Sequence, residues 1–502
     1  MKYFKVAAVI LTLAIPAGAG ALEFQTPGAV GIGGAGVARA TDATASYWNP
    51  AGLAFHEKSF SSRLNAGVGI NINSSFAENV DKIGKLDVND LQNLSFSSLG
   101  TTTANLNATA QAVEYVGIVN DLDHNKGTLV ATPGGMLAFQ FSNIGVAAIV
   151  SSELVSFPKS DTTNVRPGDP LVASMSNFAI GIGATVGTPA GTLFSPAQRT
   201  QIAEAFFNGG ANGVTLSEAT AIVNTLEGQL QSSTGNKSEQ TSQQLADAMI
   251  HMADSFTSGG QSIEKNHSTI ELTGIALAEI PIAYGHKFDL GSYGKVGLGA
   301  AFKIIHGTVF YNSKELISLN SSGDILKDVR DNKTESTNFG VDLGAQWRYE
   351  ELKFMGPINV GFVVKNINSP KFDTFPAAGS SLPDKIKVKP QARLGVALDP
   401  LSWLTLAADM DVTKNKTILA GVDSQNIGGG LEAHFSWIAV RAGVYKNIAE
   451  SSNKPVLTGG FSLGPQWLRL DIDGAASTEK ATYDNKSYPR EAKVEFGLST
   501  MF

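Results

Sequence analysis

The chain has 502 residues, including 53 glycines and no cysteine, with 38 Lys and Arg against 45 Asp and Glu. Charged residues make up 17% of it, against about 25% in an ordinary soluble protein, which excludes a disordered polyelectrolyte. The lack of cysteine excludes disulfides, thiolate metal sites and a cysteine nucleophile, and a net charge of −7 argues against a nucleic-acid partner.

At the N-terminus, Lys2 and Lys5 precede an apolar core from Val6 to Ile15, and Ala19-Gly20-Ala21 offers a small-residue cleavage site. Residues 1–21 therefore read as a secretory signal peptide, the core being too short for a membrane anchor. No later stretch supplies the ~18 consecutive apolar residues of a membrane-spanning helix. The nearest, Ile270 to Tyr284, is interrupted by Glu271, Glu279 and Pro281. An exported chain with neither such a helix nor a cysteine to lipidate is either soluble or a β-barrel.

Next, Gly31-Ile32-Gly33-Gly34-Ala35-Gly36 fits the G-x-G-x-x-G spacing of a dinucleotide loop. No strand precedes it and no βαβ unit follows, so that chemistry lacks its context. The physical alternative is a thin segment that packs in a confined space, with Gly33, Gly34 and Gly36 as its small residues. Asp42 and Thr44 would cap or turn it, and Asn49-Pro50 would force an extended exit before Ala51.

From here on, segments of about ten residues alternate apolar with polar or small positions, the pattern of membrane barrel strands. The candidate spans are 60–72, 134–142, 143–152, 176–188, 268–285, 293–306, 336–349, 356–366, 390–399, 403–412, 425–435, 436–447, 456–464, 466–475 and 491–502. A closed barrel needs an even number, so about 14 strands are expected, with one early candidate false or merged. A soluble sandwich would alternate too. Against it stand the small residues on the polar faces, Trp347, Trp403, Trp437 and Trp467 near strand ends, and the terminal alternation ending at Phe502. The expected fold class is all-β, a transmembrane antiparallel β-barrel with an N-terminal hatch or plug and helical loop insertions.

Two insertions break the alternation. In residues 190–266, Ser195-Pro196 opens one helix and the capping box Thr215-Leu216-Ser217-Glu218 opens another. A third helix places Leu245, Met249, Met252 and Phe256 on one face, as either a greasy capture surface or plain packing. A second polar insertion, roughly 78–125, is partly helical in character. Long loops put the helical insertion on the extracellular side.

On the inferred lumen faces of consecutive later strands lie Asp409, Asp411, Glu432, Arg441, Arg469, Asp471 and Asp473. Neighbouring strands are ~5 Å apart, so these charges would form a ladder, serving either ion selectivity or the packing of a plug. The seven histidines are scattered and no Gly-x-Ser-x-Gly elbow occurs, so no catalytic residue, metal site or cofactor is expected.

Gly33 to Ala43, followed by Asn49-Pro50-Ala51-Gly52-Leu53, resembles the N-terminal hatch of the FadL (OmpP1/TodX) family of outer-membrane transporters. The later half, with Leu404 to Thr413 and Arg441-Ala442-Gly443, resembles the TraF-like branch of that superfamily, labelled by conjugal transfer. The resemblance implies a hatch at 22–58 and a barrel at 59–502, in the outer membrane of a Gram-negative-type bacterium. It implies passive uptake of long-chain-fatty-acid-like compounds with hatch-gated lateral release. Gly33, Gly34, Gly36, Asp42, Asn49, Pro50 and Ala51 would then form the gate. Leu22 and Phe24, with Leu245, Met249, Met252 and Phe256, would meet the ligand. The implied partners are outer-membrane lipid and lipopolysaccharide, a hydrophobic ligand, and a barrel-assembly machinery reading Phe502. The branch label implies a different role as well, as a structural or assembly component of an envelope machine.

Overall fold

The structure is a computed structural model that describes residues 25–72, 74–86, 102–125, 127–167, 175–209, 213–233, 240–318, 331–350, 356–375, 383–417, 423–449, 453–465, 467–483 and 486–502. The expected signal peptide, residues 1–21, and the expected ligand contacts Leu22 and Phe24 lie outside them.

Fourteen antiparallel strands among these residues close a barrel. They begin with β1 (Phe60–Ile72), β2 (Leu129–Phe141), β3 (Ile144–Lys159), β4 (Thr269–Asp289) and β5 (Lys295–Glu315). The wall continues through β6 (Lys333–Tyr349) and β7 (Ile358–Lys365). A short hairpin of β8 (Lys371–Asp373) and β9 (Lys385–Lys387) then precedes β10 (Gln391–Leu401) and β11 (Leu404–Asp411). After the hairpin β12 (Asn415–Lys416) and β13 (Asp423–Ser424) come β14 (Asn426–His434), β15 (Ile438–Asn447), β16 (Val456–Leu463) and β17 (Arg469–Ser477). A last hairpin, β18 (Lys480–Tyr483) and β19 (Lys486–Pro489), leads to β20 (Glu491–Met501), which pairs with β1 and closes the wall.

Alternation decides which side each residue faces. Outward residues are large, apolar and exposed, among them Leu64, Ile282, Phe302, Phe339, Leu406, Leu431, Phe461 and Phe496. Inward residues on the same strands are mostly charged, amide, hydroxyl, Ala or Gly, with Ile275, Leu277, Ile305 and Val309 forming an apolar patch toward the long-connection end. That oily belt around a polar interior is what a hydrocarbon surround demands of a closed sheet. Short turns join the strands at the end where β1 starts and β20 stops, and the long connections leave from the other end. Trp347, Trp403, Trp437 and Trp467 all stand exposed at the short-turn end, where Trp403 stacks on Phe435 at 6.0 Å and Phe60 on Phe502 at 6.3 Å. Aromatic rings of this amphipathic kind favour a membrane–water boundary.

Of the fifteen candidate strands, 176–188 is the false one. Its Ile180-Gly-Ile182 alternation belongs to a helix, Met175–Gly181, whose Met175, Phe178 and Ala179 are buried on one face. The two insertions share a single apolar core. Helices α1 (Ala45–Trp48) and α2 (Ser74–Lys85) are followed by α3 (Thr102–Asn125), α4 (Met175–Gly181), α5 (Pro196–Gly209), α6 (Leu216–Ser233) and α7 (Ser242–Asp254). All but α1 pack around Val116, Phe178, Phe206, Leu226 and Met249, with Leu129 of β2 at the base. The expected caps form at Ser195, whose Oγ accepts from Gln198 N at 3.3 Å, and at Thr215, which exchanges bonds with Glu218.

Candidate functional site

The segment before β1 lies inside the barrel. Gly33 and Gly34 adopt φ of 68° and 74°, a left-handed conformation that side chains resist, and the chain doubles back there. At Gly36 a Cβ would enter the ring of Trp48, so the glycine lets the turn close on that tryptophan. Asp42 Oδ1 accepts from Thr44 N at 2.9 Å, which starts α1. Asn49 is extended, and its Oδ1 accepts from Ala51 N at 3.1 Å, capping a 3-10 turn that starts at Pro50. The same amide donates from Nδ2 to Val37 O at 3.2 Å and to Ala345 O of β6 at 3.1 Å, tying two arms of the plug to the wall.

Glycines on the lumen face form the seat. A Cβ on Gly285 (β4) would sit 2.7 Å from Pro50 O, on Gly299 (β5) 2.5 Å from the same oxygen, on Gly361 (β7) 2.7 Å from Val37 O, and on Gly443 (β15) 2.7 Å from Gly33 N. On Gly344 (β6) it would strike Asn49 Oδ1. Plug backbone therefore lies directly on wall backbone over much of the circumference, and no larger residue leaves it room.

Between glycines, lumen charges hold the plug by its backbone. Gly36 N and Val37 N donate to Asp409 Oδ2 at 2.8 and 2.9 Å, and Arg393 Nη2 donates to Gly34 O at 2.8 Å. Arg393 also pairs with Asp409 at 3.3 Å and Asp411 at 2.9 Å, so both carboxylates are engaged by a guanidinium, and Asp409 by plug backbone as well. Glu432 binds Arg39 of the plug and Arg441 of the wall, both at 2.6 Å. Arg441 reaches on to Asp471 at 2.8 Å and Asp473 at 2.9 Å. Of the expected ladder, Arg469 alone makes no ion pair among the described residues, and it stands half-buried at the short-turn end. The alternation did not single out Arg393, or Glu495, whose Oε1 accepts from Gly28 N at 2.6 Å. Both lie on polar faces of predicted strands, which was the available signal.

Leu245, Met249 and Met252 are at most 1% exposed inside the helical core, and Phe256 packs on Phe178 at 5.7 Å. They are not an open capture surface, because neighbouring helices, α3 and α5 foremost, cover the face that the spacing made apolar. This helical region carries its own polar joints. Glu227 accepts from Gly191 N, Phe194 N and Arg199, and although burial pushes its carboxyl up, these bonds hold it below the usual range. Asp161, just past β3, is likewise pushed up by burial but held low by Asn164, His267 and Thr163.

Little empty space remains around the plug. A cavity of about 50 Å³ lies beside it, lined by Gln25, Pro27, Tyr47, Asn65, Thr132 and Glu495. Toward the long loops it meets a polar vestibule of about 120 Å³ lined by Glu153, Asp423, Lys454, Arg490 and Lys493. Next to that cavity the wall is imperfect. Pairing of β2 with β3 lapses between Ala131↔Leu154 and Gly134↔Ser151, across Pro133. Pairing of β3 with β4 lapses between Val146↔Ile282 and Ile149↔Glu279, across Pro281. Proline has no N–H to give a ladder, so both interruptions flank β3.

Among solved structures the chain is similar to the Ralstonia pickettii toluene transporter TbuX (11% identity, 96% of this chain and 99% of that one, TM-score 0.43). It is also similar to the P. putida toluene transporter TodX (11% identity, 97% and 99%, TM-score 0.40) and to a Pseudomonas aeruginosa FadL homologue (12% identity, 96% and 99%, TM-score 0.40). No curated protein matches the sequence. The family model described as "F plasmid transfer operon, TraF, protein" matches residues 46–411, well over half of the chain, and the chain belongs to that family.

Proposed function

We propose that this protein is an outer-membrane barrel for passive uptake of hydrophobic small molecules of the long-chain-fatty-acid kind, released sideways into the membrane once the plug shifts. The observation that carries the reading is the placing of the plug beside β3. A cavity of about 50 Å³ admits water but no hydrocarbon ligand, so the closed plug has to move for anything to pass. Beside its apolar packing on the wall, the plug is held by directional bonds to its backbone from Asp409, Arg393 and Glu495, which can be exchanged for water if the plug shifts. The plug also touches the strand that would yield, since a Cβ on Gly145 of β3 would meet Ser46 and Leu53. On this reading Gly33, Gly34, Gly36, Asp42, Asn49, Pro50 and Ala51 shape the gate and the lumen charges latch it. Lipid and lipopolysaccharide would surround the belt, and Phe502 would be read by the assembly machinery.

A second reading, a structural component of an envelope machine, draws on the helical region, which has an apolar core of its own at the long-loop end. Uptake of labelled oleate by a bacterial strain lacking its own long-chain fatty-acid transporter separates the two. Uptake above the empty-vector level, with the folded barrel verified by heat-modifiable mobility, supports transport. A folded barrel with no uptake favours the assembly role.

A further inference from the structure

The β8–β9 hairpin lies on the apolar patch that β4 and β5 present to the lumen. Phe372 seats on Gly307 of β5, where an added Cβ would strike its ring, and Ile386 and Val388 complete the contact. All three hairpin residues are buried. Side chains alternate along a strand, so the other face of the hairpin turns away from this wall and across the mouth of the barrel.

That second face is built of lysines. Pairing sets Asp373 opposite Lys385 and Lys371 opposite Lys387. Val388 N donates to Pro370 O at 2.9 Å, which carries the ladder on and puts Lys389 on the same face. Asp373 and Lys385 neutralise each other at 2.7 Å. Lys371 and Lys387 are like charges on residues whose Cβ atoms stand about 4.5–5.5 Å apart, an arrangement that costs stability. The side chains of Lys371, Lys387 and Lys389 are exposed, and none of the three ammonium groups has an ion pair or hydrogen bond among the described residues. Nor can the register shift to separate them, since a slip of one residue would turn the lysines onto the wall and expose Phe372. Bonds from Asn338 Nδ2 to Lys371 O at 2.6 Å and from Asp373 N to Ser336 Oγ at 3.3 Å also fix β8 against β6. In a chain of net charge −7, the fold holds three cations together at its mouth with no carboxylate among them.

We propose that Lys371, Lys387 and Lys389 form a binding site for a phosphate-class oxyanion, whose charge relieves their repulsion and fastens the hairpin to the mouth. An ammonium group is a compact point charge with three donors, and phosphate oxygens accept such charge-assisted bonds strongly. A tetrahedral dianion can meet three of these groups at once, which a planar monoanion does with half the charge. Free phosphate and the phosphate group of an amphiphile share this chemistry. The inference goes beyond the uptake reading and holds whether or not the barrel transports.

Hydrogen exchange of the full-length protein in detergent reads the site, with the peptides that cover Phe372 and Ile386 as reporters. Inorganic phosphate is the probe, set against nitrate at equal ionic strength. Phosphate is expected to slow exchange in these peptides saturably, and nitrate to leave it unchanged. Lys387→Gln removes the like-charge pair, so exchange there should be slower even without phosphate. The phosphate affinity of that variant, read by isothermal titration calorimetry, should fall about fivefold or more, as for the loss of one unit-charge contact at about 4 Å in water. Lys371→Gln gives the same comparison from the other strand. Equal protection by phosphate and nitrate, or an affinity that neither substitution moves, overturns the proposal and leaves the lysines merely solvated. Hexyl phosphate separates the two sources. Binding at least about tenfold tighter than inorganic phosphate assigns the site to amphiphile head groups, and a smaller difference assigns it to free phosphate.

Discussion

The plug and the helical region fill space within one chain by different means. The plug packs Ile32, Val37, Trp48 and Leu53 on the wall, but its thin backbone is also laid on glycines and fastened by carboxylates and arginines, with Asp409, Arg393, Glu432 and Glu495 each bonding it directly. The helical region buries Val116, Phe178, Phe206, Leu226 and Met249 against one another and reserves polar contacts for its joints. The helical region thus relies on apolar packing almost throughout, whereas the plug adds to its apolar contacts a set of polar bonds to its own backbone. On the proposed reading it is the plug that moves.

The comparison breaks most visibly if the glycine seat is filled. Gly344→Val would push a side chain into Asn49 and Pro50, and overpacking of this sort costs about 1–3 kcal/mol or more. The plug should leave its seat while the barrel persists, which shows as sensitivity of cells to bulky antibiotics with unchanged heat-modifiable mobility. Asp409→Ala removes two plug bonds and one of the two carboxylates that pair with Arg393, leaving it Asp411, so the loss should fall toward or below the lower end of the about 3–5 kcal/mol of a fully broken buried pair. Limited proteolysis should then cut between Gly33 and Ala40. Met249→Ala should cost about 2–5 kcal/mol in the helical region alone, seen as earlier loss of helical circular dichroism with the sheet signal unmoved.

The smallest effect is a titration. Glu227 has a depressed carboxyl, so its contribution is complete above the ordinary value of 4.5 and is lost as pH falls through its lower folded value. Helical melting should drop in that acid window, and Glu227→Gln should flatten the dependence. A plug that loosened in the same window without the helices would contradict the assignment.

The wall was legible because alternation is a local signal, and β1 was located to the residue at 60–72. Strand β5 runs further than the expected 293–306 because Val309-Phe310-Tyr311 is apolar on both faces, which hides the period. The polar faces exposed the candidates for latching the plug. Which of them pair was not legible, because Arg393 meets Gly34, and Glu495 meets Gly28, only once β20 has closed on β1. The Met249 stripe announced an apolar face but not its occupant, since the main covering helices, α3 and α5, lie further back in the chain. Nor does any local pattern mark Phe372, whose partner is a missing side chain on another strand.

Plug-gated uptake is tested most directly by locking the plug. The chain has no cysteine, so Ser46→Cys with Gly145→Cys introduces one pair; the Gly145 Cβ lies 3.0 Å from that of Ser46, so the two must part by about half an ångström or more to reach the ~3.5–4.5 Å of a disulfide. Oleate uptake should cease when the pair is oxidised and return on reduction. Uptake that continues through a fully cross-linked plug would contradict the account.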